Sequence, residues 1–489
     1  MANRSLINRR KFLAALGLGF AGTRLIGCSS TSPSNSETLP PNIILVLADD
    51  LGWGDLGCYG HPYIKTPHLD RLAKQGTQFT QYYVNSPVCS PSRVSFMTGN
   101  YPTAHRIDGY LSEETQNQER YLANWLDPDA ITVTDLFQQA GYATAHFGKW
   151  HLGRGETAPT PEDFGIEKHR VVPTLNAKTW TRKQRDRYFN NKSTEYIVDE
   201  SIQFMKANHN NPFLMNLWTL LPHAPLKPTP EQLAGYDKLE IDLEDPPFKG
   251  QMKNYLKQAE DAIGQMRVYA ASVTAMDAAL GRLFKALDDL ELTNNTIVFF
   301  TSDNGPEDYN VGNAKNGGMG STGPFRGRKR SIYEGGIRVP CIVSWPGHVP
   351  ANQVDDQSIM CAVDFLPTMC GLAGIQIPTE IRSDGEDVSD MLMGQLRDRE
   401  KPIIWYYRFG VYNTPDYDPP TIGVRKGDWK FFLNADRSQM ELYDLSQDPA
   451  ESKNLTQDHP SVVAELSKVA LDWYQQSINP STGTGYIQS

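Results

Sequence analysis

The sequence predicts an α/β fold: a large central sheet flanked by helices, followed by a smaller C-terminal α+β subdomain. Three observations carry this. Residues 42–48 and 296–301 are continuous apolar runs rich in β-branched and aromatic side chains, as strands buried on both faces require. Around them, segments of helical periodicity alternate with further short apolar runs. Beyond about residue 398 the pattern changes to short strands separated by turn residues.

Length and composition set the frame. The chain has 489 residues, 39% hydrophobic and 21% charged, enough for one large domain and a smaller one. Its formal net charge of -10 argues against a nucleic-acid partner. Any anionic substrate must therefore be gripped by a local cluster of positive groups. At the N-terminus, Arg9, Arg10 and Lys11 precede an apolar run over 12–22 that is too short to span a bilayer. Paired arginines followed by Phe12 and Leu13 resemble a twin-arginine export signal, and Leu25-Ile26-Gly27-Cys28 is similar to a bacterial lipobox. The expectation is export to the bacterial periplasm or cell surface, with lipidation of Cys28 as a membrane anchor. Residues 1–28 then form the signal and 29–41 a linker rich in Ser, Thr and Pro. Of the six cysteines, Cys58, Cys341, Cys361 and Cys370 show no disulfide connectivity in their spacing, and Cys341 and Cys370 read as core residues.

Taken in order, the elements deliver polar groups at their ends. The strand 42–48 runs into Asp49 and Asp50, adjacent carboxylates that repel unless a cation neutralises them. A helix over 67–75 has Thr66 as N-cap, Pro67 in its first turn, an apolar face of Leu69, Leu72 and Ala73, and Gly76 as its stop. The strand 79–84 leads to Cys89, where Ser90, Pro91 and Ser92 open a helix carrying Arg93. Its free N–H groups favour an anion. A helix over 134–140 and a strand over 142–147 bring up Lys149 and His151, which share a face if the strand continues. Residues 155–192 are polar and irregular, with Arg170, Lys178, Arg182, Lys183, Arg185 and Arg187 among aromatics. This is the kind of loop in which selectivity resides.

After a helix over 194–208, the strand 212–220 ends near His223, held between Pro222 and Pro225 with the restricted freedom a positioned acid needs. A single helix over 255–290 presents Val273, Met276, Leu280, Leu283 and Leu287 to the core. The strand 296–301 ends in Asp303 and Asn304. Together with Asp49 and Asp50 these make an all-oxygen set for a hard cation, whereas zinc-type Cys/His spacing is missing. A basic run, Arg326 to Arg330, precedes Glu334, a strand over 339–345 and a helix over 364–374. Four short strands (403–407, 422–425, 429–433, 441–445) and a helix over 461–476 close the chain. Each polar residue also has a plainer reading: Cys89 as a buried inert thiol, Arg93 in an ion pair, Lys149 snorkelling, His151 as a satisfied core histidine.

The motifs decide between these readings. Asp49-Asp50 with Gly52, Gly54, Asp55, Leu56 and Gly57, then Cys89-Ser90-Pro91-Ser92-Arg93 with Thr98-Gly99, resemble the opening and the C-x-P-S-R signature of type I sulfatases. Gly148-Lys149-Trp150-His151-Leu152-Gly153, His223-Ala224-Pro225 and Glu334-Gly335-Gly336 with Arg338-Val339-Pro340 continue the likeness in family order. The chain is thus similar to arylsulfatases and N-acetylgalactosamine-6-sulfatases of the alkaline phosphatase superfamily. The resemblance implies a large mixed sheet in a catalytic domain over 42–397 and a C-terminal subdomain over 398–489.

It further implies that a formylglycine-generating maturation enzyme converts Cys89 to 3-oxoalanine (formylglycine). Calcium, with magnesium second, is expected on Asp49, Asp50, residue 89, Asp303 and Asn304. One hydroxyl of the aldehyde hydrate would attack sulfur, aided by the metal and Asp303, while Lys149 and Lys329 hold the sulfate oxygens. Arg93 would stabilise the hydrate, His223 protonate the departing sugar oxygen, and His151 take the proton whose removal expels sulfate. His105, Arg106 and Arg154, near the motifs, are expected substrate contacts. Arg328 and Arg330 replace residues that are commonly small in relatives and are expected to widen the positive field. The substrate expected is a sulfated polysaccharide or its oligosaccharides. A phosphodiesterase or phosphonate hydrolase on the same scaffold, or a non-catalytic glycan-binding protein, are the alternatives.

Overall fold

The computed structural model describes residues 40–172, 186–242, 244–245, 248, 250–259, 261–309, 311–312, 314–411, 415–479, 481 and 483–485. The export segment with Cys28, most of the linker, and the basic residues Lys178, Arg182, Lys183 and Arg185 lie outside the described residues.

The two apolar runs form neighbouring strands. Strand β1 (Asn42–Ala48) pairs in parallel with β6 (Thr296–Ser302), and every residue of both is buried. Side chains alternate across the sheet as strand geometry demands: Ile43, Leu45 and Leu47 enter one core, Ile44, Val46 and Ala48 the other. The sheet is mixed, ordered β4-β3-β5-β1-β6-β7-β2-β8, with β9 also pairing β2. Here β2 is Thr77–Tyr83, β3 Ala143–Gly148, β4 Lys168–Val171, β5 Phe213–Trp218, β7 Arg338–Ser344, β8 Gln353–Asp355 and β9 Met360–Cys361. Strands β4, β3, β5, β1 and β6 are mutually parallel. Strand β7 runs antiparallel to both β6 and β2, so β2 points the same way as β6. Five strands that precede motif residues therefore end at one edge, and β7 begins there.

Helices cover both faces. On one, α1 (Pro67–Gln75) packs with α6 (Ala262–Asp289), burying Leu69, Leu72, Met276 and Leu280. On the other lie α2 (Cys89–Thr98), α3 (Val133–Gln139) and α7 (Phe365–Leu372), with Phe96 edge-on to Phe365. The same core continues into an antiparallel sheet of β10 (Ile403–Tyr406), β11 (Ile422–Lys426), β12 (Trp429–Leu433) and β13 (Glu441–Asp444), backed by α8 (Pro460–Ser477). Among the described residues no helix is long and apolar enough to cross a membrane.

Several expectations are corrected. The single helix over 255–290 is two: α5 (Gly250–Gln258), then α6, restarted where the Asp261 carboxylate accepts from Gly264 N–H. Helix α4 (Phe189–Ala207) begins five residues before the expected 194. Thr66 stands at the N-cap of α1, but its hydroxyl accepts from Gly57 N–H and donates to Asp70. The helix is capped instead by Asp277 of α6, which accepts from His68 and Leu69 N–H. Lys149 and His151 do not share a strand face, because β3 stops at Gly148 and His151 turns into the left-handed region at φ 57°. Gly148 itself sits at φ 121° so close to β5 that a Cβ would lie 1.8 Å from the Trp218 carbonyl oxygen. Every described cysteine is free, with Cys341, Cys361 and Cys370 buried.

Candidate active site

The tips of β1 and β6 are tied together: Asp303 N–H donates to Ala48 O at 3.0 Å, and Asp50 N–H to Asp303 Oδ1 at 3.2 Å. From the end of β3 comes Lys149, whose Nζ lies 2.6 Å from Asp49 Oδ2. From the loop before β7 comes Lys329, whose Nζ meets both Asp50 oxygens at 2.5 and 2.7 Å. Cys89 opens α2 after an extended Val88, and its Sγ lies 3.6 Å from Asp49 Oδ1. One turn on, Arg93 is fully buried: Nε and Nη2 grip Asp303 Oδ2 at 3.0 and 2.6 Å, and Nη1 donates to Lys149 O at 2.8 Å. His223 reaches in after β5, its Nε2 3.8 Å from Asp50 Oδ2, and its side chain is 27% exposed while the two aspartates beneath it are buried.

Electrostatics follow from this packing. Burial opposes ionisation of Asp49, but Lys149, His223, Arg93 and Lys329 together hold it well below the usual carboxylate range. Burial likewise opposes the Lys329 charge, which Asp50 and Glu307 preserve. The Cys89 thiol is pushed up to about 12, chiefly by burial, so as a thiol it stays protonated near neutrality and is a poor nucleophile. Both histidines are pushed toward the neutral form by burial.

Their hydrogens are placed by partners that can only accept. His151 Nε2 is 2.9 Å from Leu111 O and therefore carries its hydrogen there, leaving the lone pair on Nδ1, which is buried without a hydrogen-bond partner. His223 Nδ1 donates to Ala224 O at 2.5 Å, so its lone pair is on Nε2, toward Asp50.

The oxygens of Asp49, Asp50 and Asn304 fit a hard cation, whereas the Cys89 sulfur and the His223 nitrogen beside them are softer donors. One ligand atom each from Asp49, Asp50, Cys89 and His223 lie within 4.8 Å of one another, and Asn304 Oδ1 is buried with no donor while its Nδ2 holds Asp50 Oδ1 at 2.7 Å. Of the expected ligand set, Asp303 also receives Arg93 on Oδ2 and the Asp50 amide on Oδ1, which keeps a second lone pair.

Other expected residues are placed differently. Arg106 Nη2 donates to Tyr121 O at 3.2 Å, Arg154 pairs with Glu113 at 2.7 Å, and His105 sits half-buried in the turn Pro102–His105. None of the three has a hydrogen bond or ion pair to the site cluster. Arg328 does not widen the field: it is buried, donating to Glu307 O, Tyr309 Oη, Gly318 O and Gly320 O, and so clamps its own loop. Arg330 is paired with the Glu307 carboxylate, which offsets its charge. Glu307 was not anticipated. It is buried 3.6 Å from Lys329, and its place four residues after Asp303 was the available signal.

A sequence profile of the Sulfatase family matches residues 41–375. The chain belongs to the sulfatase family. A second profile, N-sulphoglucosamine sulphohydrolase, C-terminal, matches residues 323–475 of this sulfatase. It is 33% identical to N-acetylgalactosamine-6-sulfatase of Sus scrofa over 422 residues, covering 81% of this chain and 71% of the relative. It is 28% identical to N-acetylgalactosamine-6-O-sulfatase of Bacteroides thetaiotaomicron over 535 residues, covering 91% and 96%. Among solved structures it is similar to Ps i-CgsB in complex with k-i-k-neocarrahexaose, with TM-score 0.70 and 25% identity over 88% of this chain and 93% of that one. The protein is a type I sulfatase of the alkaline phosphatase superfamily, a sulfuric ester hydrolase.

Proposed function

We propose that this is an exported sulfatase that desulfates a sulfated polysaccharide or its oligosaccharides, using a formylglycine made from Cys89 by a maturation enzyme. The observation that carries the reading is the setting of Cys89: a protonated, weakly nucleophilic thiol at a helix start, against Asp49 and within the field of Lys149 and Lys329. As a thiol it does little there. As an aldehyde hydrate it supplies a hydroxyl nucleophile.

Lys149 and Lys329 bind the sulfate oxygens and oppose the negative charge that develops on them. Arg93 fixes Asp303 and the Lys149 backbone, and stabilises the hydrated residue 89 through charge-assisted hydrogen bonds. His223 acts as the acid from its imidazolium form: Nε2, on a side chain 27% exposed, takes up a proton before it delivers one to the leaving oxygen. His151 Nδ1, unpartnered and neutral, takes the proton from the second hydroxyl of residue 89. Asp49, Asp50 and Asn304, with Asp303 and residue 89, would hold calcium, or magnesium as second choice. When bound, such an ion supplies Lewis-acid polarisation of the sulfate.

The carbohydrate substrate is supported by the names of relatives that act on N-acetylgalactosamine sulfates and by the neocarrahexaose bound to the similar structure. Export, with lipid anchoring at Cys28, is supported by the order of arginines, apolar run and lipobox-like residues. The division at 397/398 is proposed from the change of pattern there.

The test is mass spectrometry of the peptide containing residue 89 after production with a formylglycine-generating enzyme, followed by turnover of a panel of sulfated oligosaccharides. A loss of about 18 Da relative to cysteine marks the aldehyde. Cys89→Ala should abolish turnover with the fold intact, and retained activity in that variant would end the proposal.

A further inference from the structure

We propose that Ser90 is a positioning residue for His151, acting through the backbone of Leu111. The inference rests on the reading of His151 as a base and adds the device that aims it.

Leu111 is bonded at both ends. Its N–H donates to Ser90 Oγ at 3.0 Å, and its carbonyl accepts from His151 Nε2 at 2.9 Å. Ser90 is fully buried and Leu111 nearly so, which leaves water no easy route to replace either bond. The second bond does more than hold the ring. A carbonyl can only accept, so it fixes one tautomer and turns the Nδ1 lone pair to the other side of the imidazole. His151 also depends on outside fastening, because its backbone lies at φ 57°, where a residue other than glycine rarely rests.

The flanks of Leu111 are anchored separately. Arg408 Nε donates to Asp108 at 2.9 Å, Arg120 Nη2 to Tyr110 O at 2.9 Å, and Ser112 N–H to Asn117 Oδ1 at 2.8 Å. These hold the loop near the site but leave the Leu111 amide to Ser90. Since Ser90 adjoins Cys89 in the first turn of α2, one turn of helix sets both the group that attacks and the loop that orients the base. The hydroxyl at position 90 thereby gains a role in turnover apart from the cysteine beside it.

The test uses the full chain with 15N-labelled histidine. The ten histidines are resolved by the signal missing in His151→Ala. Wild type should show Nε2 of His151 protonated and Nδ1 unprotonated. In Ser90→Ala that single tautomer should be lost, and kcat per formylglycine-bearing chain, counted by peptide mass, should fall by about tenfold or more. Ser90→Thr, which retains the hydroxyl, should restore both. If Ser90→Ala does not fold, Ser90→Cys, of similar size and a poor acceptor, takes its place. An unchanged tautomer with kcat within about twofold of wild type overturns the link alone. Wild-type turnover by His151→Ala overturns the base on which the proposal rests.

Discussion

His223 keeps its lone-pair nitrogen toward the two aspartates and its edge toward solvent, the arrangement of a group that takes up a proton at Nε2 and passes it to substrate. If it protonates the departing oxygen, its worth depends on how badly that oxygen needs the proton. Replacement by Ala should lower kcat on a sugar sulfate by about 100-fold or more, and far less on nitrophenyl sulfate, whose leaving group is already stable as an anion. Equal losses on both substrates would assign His223 to binding.

Asp55 makes a different argument at the same scale. Buried, and accepting from Gly52 N–H, Ser321 N–H and Tyr269 Oη, it is pushed up to about 7, burial being the largest cause. Its unfolded value is about 3.9. Between those values the folded chain keeps a proton that the unfolded chain has released, so its contribution to stability falls as pH rises, by about 1.4 kcal/mol per pH unit. Asp55→Asn cannot titrate. Urea midpoints from pH 4.5 to 7 should show the gap between variant and wild type narrowing with pH, and parallel curves would contradict the assignment.

At the scale of elements, the strand ends were legible because buried parallel strands read as apolar runs and their polar termini interrupt those runs abruptly. Asp49, Lys149, His223 and Asp303 stand at one edge for that reason. The motif around Cys89 was equally plain, since its spacing is local. What escaped the sequence depends on partners far along the chain. Thr66 looks like a cap, yet the carboxylate that caps α1 is Asp277, on a helix some 200 residues later. Arg328 and Arg330 look like substrate groups, yet Glu307 and a set of carbonyls engage them. The turn at His151 likewise follows from packing that no local propensity encodes, whereas the break before α6 has a local signal, the Asp261 cap. The Asp277 cap gives a direct prediction. Asp277→Ala strips two N–H groups of their acceptor and should cost about 1–2 kcal/mol in urea unfolding, with kcat unchanged because α1 lies away from the site edge.

Across the whole molecule, the two sheets meet over a buried ion cluster. Lys430 of β12, with no exposure, lies 2.7 Å from Glu334 and 2.9 Å from Glu451. Glu334 also receives Arg338 at 3.2 Å and the Tyr83 hydroxyl at 2.6 Å, and its own N–H donates to Glu451 at 2.7 Å. Arg425 of β11 reaches across to Tyr83 and Gln81 of β2. Glu334 ends the loop that carries Lys329, so the smaller sheet braces a segment of the active site. Opposing effects set the charges. Lys430, Arg338 and Arg425 hold Glu334 low against burial, whereas burial and the Glu334 charge push Glu451 up to about 7. Lys430→Met removes the cation between two buried carboxylates and leaves them facing each other without it. The cost should be about 3–5 kcal/mol, seen as a lower Tm. Adding Glu451→Gln removes one of those carboxylates and keeps an acceptor for Glu334 N–H, so the double variant should regain much of the loss. A double variant no more stable than Lys430→Met would mean that Lys430 acts by packing against Trp405 and Phe432, over whose rings its ammonium lies, and not by joining the two carboxylates.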